Sequence, residues 1–112
     1  MEHARAGPLL ADERARVEGL LRDLTEASDE DRATSRETGD IADPAQSLTD
    51  EQGADAIAAG LRQRLSAIER AEARLADGTY GRSVQSGKPI PDERLEADPA
   101  AELTVDEEAA QR

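Results

Sequence analysis

The chain has no cysteine, no tryptophan and no phenylalanine, and Tyr80 is its only aromatic residue. Without cysteine there can be no disulfide and no thiolate metal site. With Leu, Ile and Val also few, a large compact core is out of reach. One fully buried aliphatic side chain contributes only about 1.5–3 kcal/mol, which must offset the entropy of ordering the chain around it. Basic residues are scarce too: 14 Lys and Arg stand against 26 Asp and Glu, for a formal net charge of −12. That balance argues against phosphate-backbone binding, which needs clustered cations, and against an anionic membrane surface. It favours a basic protein partner or a positively lined channel. No apolar run approaches a membrane span or a signal-peptide core, so no membrane association is expected and the cytoplasm is the default location. His3 is the sole histidine; remote in sequence and placed in a terminus expected to fray, it is not expected to complete a metal site.

What the 112 residues do have is charge, 36% of them, and helical periodicity. From Pro8 to Thr38, Leu10, Val17 and Leu24 are spaced by seven, with Leu20, Leu21 and Ala27 between them. That is a heptad seam rather than a broad core-facing stripe. Pro8 suits a first helical turn, which leaves residues 1–7 as a flexible N-terminus. The seam fades in "DEDRATSRET", Gly39 is a plausible helix stop, and Pro44 does not fit inside a continuing helix. A second seam follows in Ile57, Leu61, Leu65, Ile68 and Leu75, within a stretch from Ala45 to Ala76 rich in good helix formers. Gly53 and Gly60 interrupt it, each costing roughly 1 kcal/mol against Ala, and should soften the half nearest the turn.

Two heptad-bearing segments joined by a short Gly- and Pro-marked connection predict a mainly α protein. Residues 8–78 form a long antiparallel coiled-coil hairpin with its tip near 39–47, each arm of about 30 residues spanning roughly 45 Å. A compact three- or four-helix bundle is the competing arrangement, but the seams are narrow and the rest of the chain offers little to pack on them. Residues 79–112 are loop-rich, with room for a small globule and a last helical turn or two.

At the hairpin turn stands Asp40-Ile41-Ala42-Asp43-Pro44-Ala45, a D-x-x-D-x-A pattern. Alone it is weak, because Asp is a common turn and cap residue; two exposed carboxylates could equally meet a Mg²⁺ ion or a basic group in a partner's cleft. The second motif gives it context. Ser83-Val84-Gln85-Ser86 and Thr104-Val105-Asp106-Glu107 are separated by seventeen residues, the spacing of a four-cysteine zinc site with every cysteine replaced. The surroundings, "DGTYG", "SGKPIPDERLEADP" and "ELTVDE", resemble the C-terminal zinc-finger domain of the DksA/TraR family. Counted back from Ser83, the Asp motif falls where that family carries its coiled-coil tip motif, with no gap needed.

The resemblance, over roughly residues 9–107, implies a bacterial transcription regulator that binds RNA polymerase rather than DNA. It implies a coiled coil that enters the secondary channel, with Asp40, Asp43 and Ala45 as the tip contacts near the active centre. The departure lies at Ser83, Ser86, Thr104 and Glu107. Hydroxyls do not ionise near neutral pH, and one carboxylate does not make a structural site, so no zinc is expected and 79–112 is read as a zinc-ribbon-like globule lacking zinc. In zinc-dependent domains that removes a term of about 10 kcal/mol or more. In its place a small core of Tyr80, Val84, Ile90, Leu95, Leu103 and Val105 is expected against Ile68 and Leu75. Hydrogen bonds from Ser83, Ser86 and Thr104 would add about 0.5–1.5 kcal/mol each.

Members of the family that respond to guanosine tetraphosphate use basic residues on the second helix. Arg62, Arg64, Arg70 and Arg74 occupy that surface here, but no nucleotide pocket can be placed on them, and they read as solvated partners for Glu69 and Glu72. A monomer with no enzymatic activity is expected, since no Ser-His or Cys-His pairing and no phosphate loop is present. Two other readings stand beside the polymerase regulator: a stress-related scaffold that kept the fold but lost polymerase regulation, and a transcript-cleavage-type factor.

Overall fold

The computed structural model describes the backbone of residues 1–38 and 44–111, and the side chains of residues 1–27 and 53–111. Among these the elements are α1 (His3–Thr38), α2 (Pro44–Asp77), α3 (Asp92–Ala97) and α4 (Val105–Ala110). No strand occurs among the described residues. The only ladder-like pairing there is an isolated antiparallel bridge between Arg82 and Pro89, so the ribbon expected after residue 79 is reduced to a single bridge.

Helix α2 matches its sequence bounds to within one residue at each end, and both of its ends have a local cause. Pro44 opens it, where a missing N–H has no intrahelical partner to lose. At the other end Gly78 takes φ +85°, and the Thr79 N–H donates to the Arg74 carbonyl at 2.9 Å. That six-residue return bond is the Schellman stop, and it needs a residue at home in the left-handed region. The Asp77 carboxylate reinforces it by accepting from the Thr79 N–H at 3.0 Å.

Helix α1 begins earlier than its sequence suggested. The flexible N-terminus expected for 1–7 is instead helical from His3, with Arg5 and Ala6 N–H groups bonded to the Glu2 carbonyl. Pro8 therefore sits in the second turn, where it removes the bond to the Ala4 carbonyl. Both residues are exposed, so water can satisfy the carbonyl. The physical reason for the extra helix is close packing by small residues: Ala6 is fully buried, and a Cβ added to Gly7 would lie 3.9 Å from the Leu75 side chain.

The chain divides into two units, Met1–Ala15 with Leu65–Arg112, and Arg16–Arg64. In the first, α1 buries Ala6 and Leu10 while α2 buries Ile68 and Ala71. Gly7 meets Leu75, and Arg14 meets Glu72, its Nη2 donating to Oε1 at 2.6 Å. As residue numbers rise in α1 they fall in α2, so the two helices run antiparallel here. Ile90, Leu95 and Ala101 form a second cluster, with Met1 and Tyr80 packed against it. Ion pairs Arg5–Glu96 and Arg70–Glu102 tie α3 and the loop before α4 to the long helices. These pairs are exposed enough that each contributes about 1 kcal/mol at most.

Two residues assigned to the small core lie outside it: Val84 and Val105 are 55% and 58% exposed. Val84 is in a turn and Val105 is the first residue of α4. Small residues fill the space instead, with Ala100 and Ala101 buried.

In the second unit Val17 is buried, Leu21, Leu24 and Leu61 are half-buried, and Leu20 and Ile57 are exposed. The Thr25 hydroxyl donates back to the Leu21 carbonyl at 2.9 Å, a bond available inside a helix.

Candidate functional site

Two sets of residues stand out in the sequence, and their positions differ in kind. Asp40 and Asp43, at the tip, lie outside the described residues. Ala45 is in the first turn of α2, and its side chain also lies outside them. The other four positions, Ser83, Ser86, Thr104 and Glu107, are described in full and are brought together.

Ser83 is the centre of a tight turn. Its hydroxyl oxygen accepts the N–H of Gln85 at 3.1 Å and of Ser86 at 3.2 Å. Serine does this because its short side chain can reach back to the two N–H groups that follow it. The Gly87 N–H closes the turn on the Ser83 carbonyl at 2.9 Å, and Gly87 itself takes φ +76°. Held this way, Ser83 is only 5% exposed, and its hydroxyl donates to Oε2 of Glu107 at 2.9 Å.

From the other side, Thr104 caps α4. Its hydroxyl accepts the Glu107 N–H at 3.3 Å, and Oε1 of Glu107 accepts the Thr104 N–H at 3.0 Å. This is a complete capping box. The Glu107 carboxylate thus has one oxygen on Thr104 and the other on Ser83. Its pKa falls to about 2. The Thr104 backbone N–H is the main cause, opposed by partial burial and assisted by the hydroxyls of Ser83, Thr104 and Ser86.

Thr-x-x-Glu before a helical turn is the signature of that capping box, and it is present in the sequence; the zinc-site spacing points to the same residues for another reason. Arg94 gives no comparable sequence signal. Its Nε donates to the Leu103 carbonyl at 2.8 Å and its Nη2 to Glu108 at 2.5 Å, bracing the loop on which Thr104 sits.

These four residues do not fit a structural zinc ion. Three are neutral hydroxyls, and the single carboxylate already has both oxygens engaged by protein donors, whereas zinc calls for four Cys, His or carboxylate ligands in a tetrahedron. Among the described residues no group of three or more His, Cys, Asp or Glu is placed to hold a metal.

The arginines of α2 are also placed. Arg62 is exposed. Arg70 is held by Glu102, at 3.0 Å from Nε and 2.7 Å from Nη2. Glu72, expected to pair within α2, is instead taken by Arg14 of α1, which also lies 3.8 Å from Glu69. Arg74 keeps a buried Nε with no hydrogen-bond partner, and its positive charge lies near Tyr80.

No family model matches the chain. It is 34% identical over 89 residues to "RNA polymerase-binding transcription factor DksA" of Caulobacter vibrioides, covering 80% of this chain and 63% of that protein. It is 46% identical over 48 residues to "General stress protein 16O" of Bacillus subtilis, covering 43% of this chain and 29% of that one. The chain therefore spans less than two thirds of the length of either relative. Among solved structures it matches transcription factor DksA2 from Pseudomonas aeruginosa with a TM-score of 0.51 and 23% identity, over 93% of this chain and 83% of that one. At that identity the likeness speaks for the fold: a mainly helical chain built on a helical hairpin.

Proposed function

Because the chain is a DksA-like family member in sequence and fold, we propose that it is an RNA polymerase-binding transcription regulator that does not bind DNA directly. The observation that carries this reading is the 89-residue match to a relative named for polymerase binding. The net charge of −12 supports it, since a strongly acidic protein is repelled by nucleic acid and attracted to a basic channel. In this reading the hairpin enters the secondary channel of the polymerase. Asp40 and Asp43 act there electrostatically on the active centre, while Ala45 packs on the channel wall. The protein contributes no catalytic group of its own and acts in the cytoplasm; no described helix is long and apolar enough to cross a membrane.

Retention of core polymerase on the immobilised protein, followed by transcription from a sensitive promoter, tests this reading. Wild type should retain the enzyme and alter transcript yield. Asp40→Asn combined with Asp43→Asn should still retain it, yet lose most of the effect on yield. Normal regulation by the double variant would remove the tip from the mechanism.

The match to a protein named for general stress favours one second reading, a stress-related scaffold that keeps the fold without regulating polymerase. A wild-type protein that fails to retain polymerase would leave that reading standing.

A further inference from the structure

A zinc ion held by four ligands clamps a residue pair on one loop to a residue pair on another. Here the two pairs are still brought together. Ser83 and Ser86 lie on one turn, Thr104 and Glu107 at the start of α4, and the Ser83–Glu107 hydrogen bond joins them across 24 residues of sequence. We propose that the Glu107 carboxylate takes over the clamping role, so that the C-terminal globule closes without any metal.

The geometry carries this in three respects. Each carboxylate oxygen serves a different side of the junction, Oε2 the Ser83 turn and Oε1 the Thr104 backbone. The Ser83 hydroxyl uses its whole capacity, donating once to Glu107 and accepting twice within its own turn, so the bond across the junction is anchored in an ordered turn. A main-chain bond from the Val84 N–H to the Glu102 carbonyl at 2.9 Å runs beside the clamp and fixes the spacing of the same two loops. A carboxylate with two differently directed oxygens can bridge in this way, whereas a hydroxyl at position 107 would have one oxygen atom to share between both sides. Hydrogen bonds to a charged group are also roughly twice as strong as neutral ones, which suits a single residue standing in for a divalent cation. The inference is independent of polymerase binding.

Amide hydrogen exchange of the full-length chain, read residue by residue by NMR with and without a chelator, tests it. In wild type the amides of Gln85, Ser86, Thr104 and Glu107 should be equally protected under both conditions. Ser83→Ala should speed exchange at Thr104 and Glu107 by roughly tenfold, and Glu107→Ala should do the same at Gln85 and Ser86. Amides between Ile68 and Leu75 should not respond. If an alanine variant loses protection throughout the globule, at Leu95 and Ala101 as well, Glu107→Gln decides, because its one carbonyl oxygen can serve only one side and its NH₂ accepts nothing from the other. Faster exchange at Gln85 and Ser86, across the junction from position 107, upholds the clamp in that variant, and unchanged exchange there overturns it. Loss of protection on adding chelator, one zinc per chain in the purified protein, or alanine variants whose effects stay on their own side of the junction would each overturn it as well.

Discussion

Of the buried apolar side chains described, Val17 belongs to the unit Arg16–Arg64, whereas Ala6, Leu10, Ile68, Ala71, Ile90, Leu95, Ala100 and Ala101 all belong to the other. Both units carry the same heptad rhythm, yet Leu10 is 1% exposed and Ile57 is 58% exposed. Periodicity nominates a face; burial depends on how many elements close over it. In the first unit α3, α4 and the loops around them supply additional walls. Among the described residues of the second, only the two long helices are available. The unit Met1–Ala15 with Leu65–Arg112, the base, is organised as a small globular core, and the unit Arg16–Arg64, the arm, rests on helix propensity and a narrow seam.

The sharpest way to break that contrast is to empty the core. Leu95 is fully buried and central to its cluster, so Leu95→Ala should destabilise the first unit by about 2–5 kcal/mol. Chemical denaturation followed through Tyr80 should register the loss. An unchanged midpoint would mean that the cluster is not what holds the unit together.

A smaller effect should come from acid. Glu107 ordinarily titrates near 4.5 and here near 2, so its folded form holds the proton less tightly than its unfolded form. Its contribution to stability is therefore complete above about pH 4.5 and is lost as pH falls towards about 2. Denaturation midpoints at about pH 6 and about pH 3 should differ more in wild type than in Glu107→Gln, which has no charge at that position to lose. Parallel pH profiles in the two proteins would remove Glu107 from the acid response.

The smallest effect should lie in the arm and have the opposite sign. A Cβ at Gly60 would meet nothing within 4 Å, so Gly60→Ala should stabilise α2 by about 0.5–1 kcal/mol. Thermal melting followed by far-UV ellipticity is the appropriate measurement. A destabilised variant would point to packing at Gly60 and weaken the distinction between arm and base.

Much of the fold is legible in the sequence. Pro44 and the residues after Ala76 announce the ends of α2, because proline geometry and glycine at a helix stop are local properties. The start of α1 is not legible, since Ala6 and Gly7 give no large apolar signal, yet Ala6 is buried and Gly7 leaves room for Leu75. Val84 and Val105 mislead because hydrophobicity says nothing about which way a turn or a helix start points. The convergence of Ser83 with Glu107 is visible as a spacing. Its chemistry is not, because a hydroxyl–carboxylate bond leaves no periodic trace and becomes apparent only when the two loops meet. Asp40 and Asp43 lie outside the described residues, so their part rests on the tip motif alone.

Tyr80 donates its hydroxyl to the Pro99 carbonyl at 2.7 Å, and partial burial raises its pKa above 10. As the only aromatic side chain in the molecule, it also makes the protein spectroscopically one-sided. Intrinsic fluorescence and near-ultraviolet absorbance originate entirely within the base, while far-ultraviolet ellipticity adds the signals of both units. Unfolding curves recorded by the two methods superimpose only if base and arm melt as one, so this single phenol makes the cooperativity of the whole chain measurable without any label.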